Sequence, residues 1–205
     1  MNSLTVLFLL ISVLGFAQEE VIIPIDYRMY EKEFVPGLTQ KKANEIGARQ
    51  DDEIRTKSIG KKLPDIIVKD TLGNPVLLKN LVTQKTLIAI ANAHCGFGLE
   101  SLTNDLPKAL AKIKETGKDF HLIILFERTA EDDEDSTRFN RNLIEIKELY
   151  TNIYIIDEND SKKINVYGSP TRYYFNEKGI LKEIKNGLST VERLYDEITT
   201  VFNTL

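Results

Sequence analysis

The chain holds one cysteine, Cys95, within Asn92-Ala93-His94-Cys95-Gly96-Phe97-Gly98. Before it, Thr86-Leu87-Ile88-Ala89-Ile90-Ala91 is a continuous apolar run, the pattern of a strand buried on both faces. After it, Leu99, Leu102, Leu106, Leu110 and Ile113 recur at helical spacing. Cys95 therefore falls between the end of a buried strand and the start of a helix. The first N–H groups of a helix have no partner within it, and its dipole adds partial positive charge there. Such a place favours the thiolate, which is the form of cysteine that attacks a disulfide. Gly96 leaves room for a substrate chain to approach. His94 reads equally as a modulator of the thiol and as a local polar surface residue.

The other chemistry-bearing residues read as structural. His121 starts a strand. The acidic run Glu131 to Asp135 has the composition of a cation site, but carboxylates at a helix start also suit the dipole, and a solvated run is expected. Asp157, Glu158 and Asp160 read as loop and N-cap residues.

These residues need a scaffold. Residues 63–70 form a short strand, Thr71-Leu72-Gly73-Asn74 a turn, and 75–78 the returning strand. The runs 86–91, 121–126 and 153–156 are further strands. Pro107 should kink the helix after Cys95, and Gly117 should end it. A helix opening at 132–136 carries Phe139, Leu143, Ile146 and Tyr150 on one face. Residues 161–167 read as a short helix. Two strands, 172–175 and 180–184, flank the turn Asn176-Glu177-Lys178-Gly179. A capping box, Ser189-Thr190-Val191-Glu192, opens a last helix burying Val191, Leu194, Tyr195, Ile198 and Phe202. The order implies an α/β fold, a mixed central sheet flanked by helices with an N-terminal β-hairpin.

Composition bounds the function. The 205 residues are 42 % hydrophobic, which suits one globular domain with an appendage. A net charge of −4 argues against nucleic acid as a partner, and neither GxxxxGK[ST] nor GxGxxG is present. Residues 4–17 are almost wholly apolar, too short to span a membrane and fitting a signal peptide cleaved after Ala17. The product is then exported, periplasmic in a Gram-negative host, with no stable membrane anchor after cleavage. Residues 18–58 read as an extension or linker, with Ala43, Ile46, Ala48 and Ile54 as the thin apolar face of a surface helix. In an oxidising compartment an odd cysteine is a reactive thiol, an intermolecular bond or a buried bystander.

The segment 92–98 resembles the W-C-x-x-C active site of thioredoxin-like oxidoreductases. Gly168-Ser169-Pro170-Thr171, a strand and then Asn176-Glu177-Lys178-Gly179 resembles their G-x-P-T…D-x-x-G signature. The hairpin beginning Leu63-Pro64-Asp65-Ile66 is similar to that of exported redoxins and periplasmic thiol–disulfide oxidoreductases. The resemblance spans residues 59–205 and implies a thioredoxin-like domain. It implies a cis peptide bond at Ser169–Pro170 beside the catalytic cysteine, with Ser169, Pro170 and Thr171 receiving a substrate strand. The departures are as informative. Gly98 replaces the second cysteine, so no intramolecular disulfide forms. His94 replaces the usual Trp, Ala89 a buried acid, and Thr103 a kinking Pro. Peroxiredoxins use P-x-x-x-T-x-x-C, and Ile88 and Asn92 occupy those Pro and Thr positions here. Copper-delivery relatives need C-x-x-x-C, and Leu99 removes that ligand. Cys95 is thus expected to work alone with His94, Gly96, Phe97 and Gly98 around it. It would exchange or isomerise disulfides of proteins or low-molecular-weight thiols, without cofactor or metal. The alternative is a redox-inactive module that binds a peptide or partner.

Overall fold

The computed structural model describes residues 20–134 and 136–205; the expected signal peptide, residues 1–17, lies outside the described residues. Seven strands form one sheet: β1 (Ile67–Asp70), β2 (Pro75–Leu77), β3 (Thr86–Asn92), β4 (His121–Arg128), β5 (Ile153–Asp157), β6 (Thr171–Phe175) and β7 (Leu181–Asn186). Their order is β2-β1-β5-β4-β3-β6-β7. β3, β4 and β5 are parallel neighbours, while β1, β2, β6 and β7 run antiparallel to theirs. The parallel pairs need helical crossovers and the antiparallel ones need only tight turns, as the sequence order requires. The hairpin is shorter than expected, because residues 63–66 stay outside β1.

The helices are α1 (Tyr27–Glu31), α2 (Gln40–Ser58), α3 (Gly96–Glu100), α4 (Leu106–Lys114), α5 (Ala130–Glu134), α6 (Ser136–Leu149), α7 (Glu158–Lys162) and α8 (Val191–Thr204). Alternate residues of the central strands face opposite sides. Leu87, Ala89, Ala91, Ile124 and Phe126 meet Leu102, Leu106, Ile113, Phe139, Ile146 and Ile198 from α4, α6, α8 and the turn before α4. Ile88, Ile90, Ile123 and Leu125 share the other core with Ile22, Ile25, Tyr30, Ile46 and Ile54. Of the thin apolar face expected over residues 40–58, Ile46 and Ile54 are buried, Ala43 is half-buried and Ala48 is exposed. Ile46, Gln50, Ile54 and Ser58 recur every four residues, a stripe one side chain wide. It suffices because residues 20–30 lie beside it in the same core.

That N-terminal segment is stitched down by its backbone. Ile22 N–H donates to Lys62 O (2.9 Å) and Ile23 N–H to Lys57 O (3.1 Å). Asn165 adds the side-chain link: its Oδ1 accepts from Ile25 N–H (2.8 Å), and its Nδ2 donates to Ile23 O and Ser58 Oγ. Asn165 has φ +61° and is buried. Asn tolerates that left-handed conformation better than other residues with side chains.

Three local expectations shift. The short helix expected at 161–167 is α7, because residues 163–166 close in turns on Asp160, Ser161 and Lys162. Its N-cap position holds Asp157, whose side chain makes no capping bond. The cap of α8 is Thr190 and not Ser189; Thr190 Oγ1 accepts from Arg193 N–H (3.4 Å).

Candidate functional site

Cys95 sits at the N-cap of α3, directly beyond the turn that ends β3. Asn92 makes that turn. Its Oδ1 accepts from Cys95 N–H (2.8 Å) and His94 N–H (3.1 Å), the local pattern by which Asn side chains replace a backbone acceptor. Asn92 Nδ2 in turn donates to Glu127 Oε2 (3.2 Å), and Glu127 also accepts from Ser161 Oγ. Asn142 Nδ2 donates to Ala93 O (3.2 Å) from the helix below. The loop carrying the thiol is thus tied to β4, α6 and α7. Asn92 was legible in sequence only as part of a motif; its signal is an Asx residue closing an apolar run.

The thiol is partly exposed. Cys95 Sγ accepts from Gly98 N–H at 3.4 Å and donates to Ser169 O at 3.3 Å. It therefore receives one of the unpaired helix N–H groups and lies against the backbone that precedes Pro170. The Ser169–Pro170 peptide is cis. Of the residues expected around Cys95, Gly96 and Phe97 are exposed, Phe97 by 66 %. Gly98 is buried against Ser169 and Ala91. Pro170 and Thr171 are also buried. Thr171 Oγ1 donates to Gly168 O (3.0 Å), closing the turn, so its hydroxyl faces its own loop.

His94 turns to the acidic run. Its Nε2 meets Asp132 Oδ1 at 2.9 Å and its Nδ1 meets Glu131 Oε2 at 3.1 Å. The ring is thus held between two carboxyl groups of the acidic run. Asp132 is completely buried, and its Oδ2 accepts from Thr129 N–H (2.9 Å) and Thr129 Oγ1 (3.1 Å). The expected solvated run thus includes one carboxylate that is part of the site, because the α5 turn carries it inward. Pattern reading missed it: nothing in a run of acidic residues marks which one faces in.

A groove of about 460 Å3 flanks this loop, lined by Tyr27, Asn92, His94, Glu127, Tyr167 and Gly168 among others. Burial, with Tyr167 and Glu127 near, pushes the Tyr27 phenol far above its usual range. His121 lies apart and is structural, with its Nδ1 3.1 Å from Leu81 O. Among the described residues no group of three His, Cys, Asp or Glu side chains is placed to hold a metal ion. No helix among them is long and apolar enough to cross a membrane.

No protein-family model and no curated protein matches the chain. Solved structures do match. Copper-bound ScoI of Arabidopsis thaliana is 18 % identical over 69 % of this chain and 98 % of its own, with a TM-score of 0.55. Copper-bound yeast Sco1 is 16 % identical over 72 % and 90 %, at 0.54. The thioredoxin domain of a thiol-disulfide oxidoreductase from Bacteroides vulgatus is 20 % identical over 70 % and 97 %, at 0.51. The chain has the thioredoxin-like fold.

Proposed function

We propose that this thioredoxin-fold chain is an exported protein of thiol–disulfide exchange that works through Cys95 alone. The observation that carries the reading is the placement of Cys95 Sγ, between the Gly98 N–H and the Ser169 carbonyl, partly open to solvent. In the first step the Cys95 thiolate attacks one sulfur of a disulfide. A Cys95–substrate disulfide forms and the other half leaves as a thiolate. In the second step an external thiolate, or another thiol of the same substrate, attacks that mixed disulfide. Cys95 leaves as the thiolate and a new disulfide forms elsewhere, with no net change in oxidation state. The Gly98 N–H stabilises the negative sulfur at both ends of the cycle. The substrate class is a protein disulfide or a low-molecular-weight one. Copper, bound by two of the similar structures, does not fit here: Cys95 is the single thiol, and Leu99 follows four residues on. Incubating the full chain with a disulfide-bonded substrate, then quenching with acid, should give a covalent adduct by mass spectrometry. The same adduct on Cys95→Ser would end this reading.

Phe97 favours a second reading. A phenyl ring 66 % exposed two residues from Cys95 is a contact for an apolar partner segment. On that reading the chain is a redox-inactive peptide-binding module. Capture of a partner would then survive Cys95→Ser and fail in Phe97→Ala and in Pro170→Ala.

A further inference from the structure

Gly98 stands where the resembling motif has a second cysteine, yet the room for that side chain is already filled. A Cβ on Gly98 would lie 2.0 Å from Ser169 Oγ and 3.1 Å from both Ser169 Cβ and Ala91 Cβ. Turning the Ser169 hydroxyl away removes the first contact and leaves the other two. Cutting Ser169 back to glycine would remove two of the three contacts; the third, to Ala91 Cβ in β3, asks for a shift of only a few tenths of an ångström. Ser169 Oγ is itself buried and has no hydrogen-bond partner. A buried hydroxyl without a partner is destabilising, so what this side chain contributes is volume.

We infer that Ser169 is the specificity-determining residue that keeps Cys95 a lone thiol. Its side chain occupies the place of a resolving thiol, and Gly98 and Ser169 are packed as one unit. Replacing Gly98 by cysteine does not by itself restore a dithiol site; Ser169 has to be cut back as well. Any disulfide formed on Cys95 then waits for a thiol from another molecule. This chemical consequence rests on the exchange reading above, whereas the packing does not.

The test uses bis(2-hydroxyethyl) disulfide on the full chain and on two variants, Gly98→Cys and Gly98→Cys/Ser169→Gly. The Cys95 thiolate attacks the probe, leaving a mixed disulfide and one equivalent of 2-mercaptoethanol. In the double variant the introduced thiolate attacks the Cys95 sulfur and expels the second equivalent. That closes an intramolecular disulfide, with the probe as the two-electron oxidant. Two equivalents per chain and no retained adduct are expected there. In Gly98→Cys alone the adduct should persist, closing at least about tenfold more slowly, in keeping with the cost of overpacking a filled site. Closure at equal rates in the two variants would overturn the assignment of Ser169.

A thermal cycle of Gly98→Ala, Ser169→Gly and the pair covers a failure to fold. Alanine is the better helix former and Gly98 has ordinary helical backbone, so propensity alone would raise Tm. Gly98→Ala should instead lower Tm by several degrees, and should raise or hold it in the Ser169→Gly background. Additive shifts would overturn the inference. Failure of wild-type Cys95 to react with the probe would sink the exchange reading, and the alanine cycle would still decide Ser169.

Discussion

Asn92 and Asp132 do most to shape the site, and neither is a reacting group. Asn92 Oδ1 serves two N–H groups that the start of α3 would otherwise leave unpaired. Asn92→Ala should therefore cost about 1–3 kcal/mol in chemical denaturation, the range for a buried donor left without its partner. It should also slow adduct formation on Cys95 in the folded protein, since the turn that aims the thiol is lost. Asp132 is buried against His94 and Thr129. Without its carboxyl the Thr129 N–H loses its acceptor, and a donor left without its partner costs about 1–3 kcal/mol. Asp132→Ala should fall in that range, and a loss under about 1 kcal/mol in urea unfolding would show that the contact is not a held one. His94 is thereby a residue that docks the Cys95 loop onto α5.

The helix after Cys95 shows how an element absorbs a local conflict. Pro107 has no N–H and should break a regular helix. Between α3 and α4, Ser101–Asp105 widens to a π-turn, with Leu106 N–H donating to Ser101 O, five residues back. In that register Leu102 O would face Pro107, and it accepts instead from Tyr150 Oη at 2.6 Å. Tyr150→Phe should destabilise by about 1 kcal/mol with little effect on thiol reactivity. At the N-terminal end, α1 and α2 are joined by Tyr30 Oη donating to Glu53 Oε2 at 2.5 Å. Burial first, and then the Glu53 hydrogen bond, push the Tyr30 phenol up from 10.0 to about 12. The neutral phenol is thus the form the fold favours. Its contribution is complete below pH 10, the unfolded value, and is lost as pH rises through about 12. Thermal melts between pH 9 and 12 should fall more steeply for wild type than for Tyr30→Phe. Parallel curves would show that this contact does not couple to folding.

At the scale of the molecule, the sheet has two cores and each needs its own cover. The helices after β3, β4 and β7 cover one face, and residues 20–58 help to cover the other. Ile54→Ala should cost about 2–5 kcal/mol, as for a core isoleucine rather than a surface helix. The C-terminal helix is pinned to β6 by a buried pair. Arg172 Nε and Nη2 donate to Glu197 at 2.7 and 3.2 Å, and Tyr174 Oη donates to the same carboxylate. Glu197→Ala leaves that guanidinium buried without its charge partner and should cost about 3–5 kcal/mol. Arg172→Met/Glu197→Leu should recover most of it, read by denaturation midpoints.

The strands, the position of Cys95 between strand and helix, the turn at 176–179 and the terminal helix were all legible in the residue order. Each rests on periods of two or 3.6 residues, or on Gly and Pro, which act over a few neighbours. The caps and short helices near 157–167 and 189–190 shifted by a few residues, because competing caps differ by little. What a window of sequence does not contain is which distant side chain shares a space. That Ile46 and Ile54 are core, that Asp132 is the inward carboxylate, and that Ser169 fills the room beside Gly98 all depend on segments distant in sequence meeting in the folded chain. Residue order set where the thiol lies and made it single. Tertiary packing decided what surrounds it, because van der Waals volume and buried hydrogen bonds are settled only when the whole chain is in place.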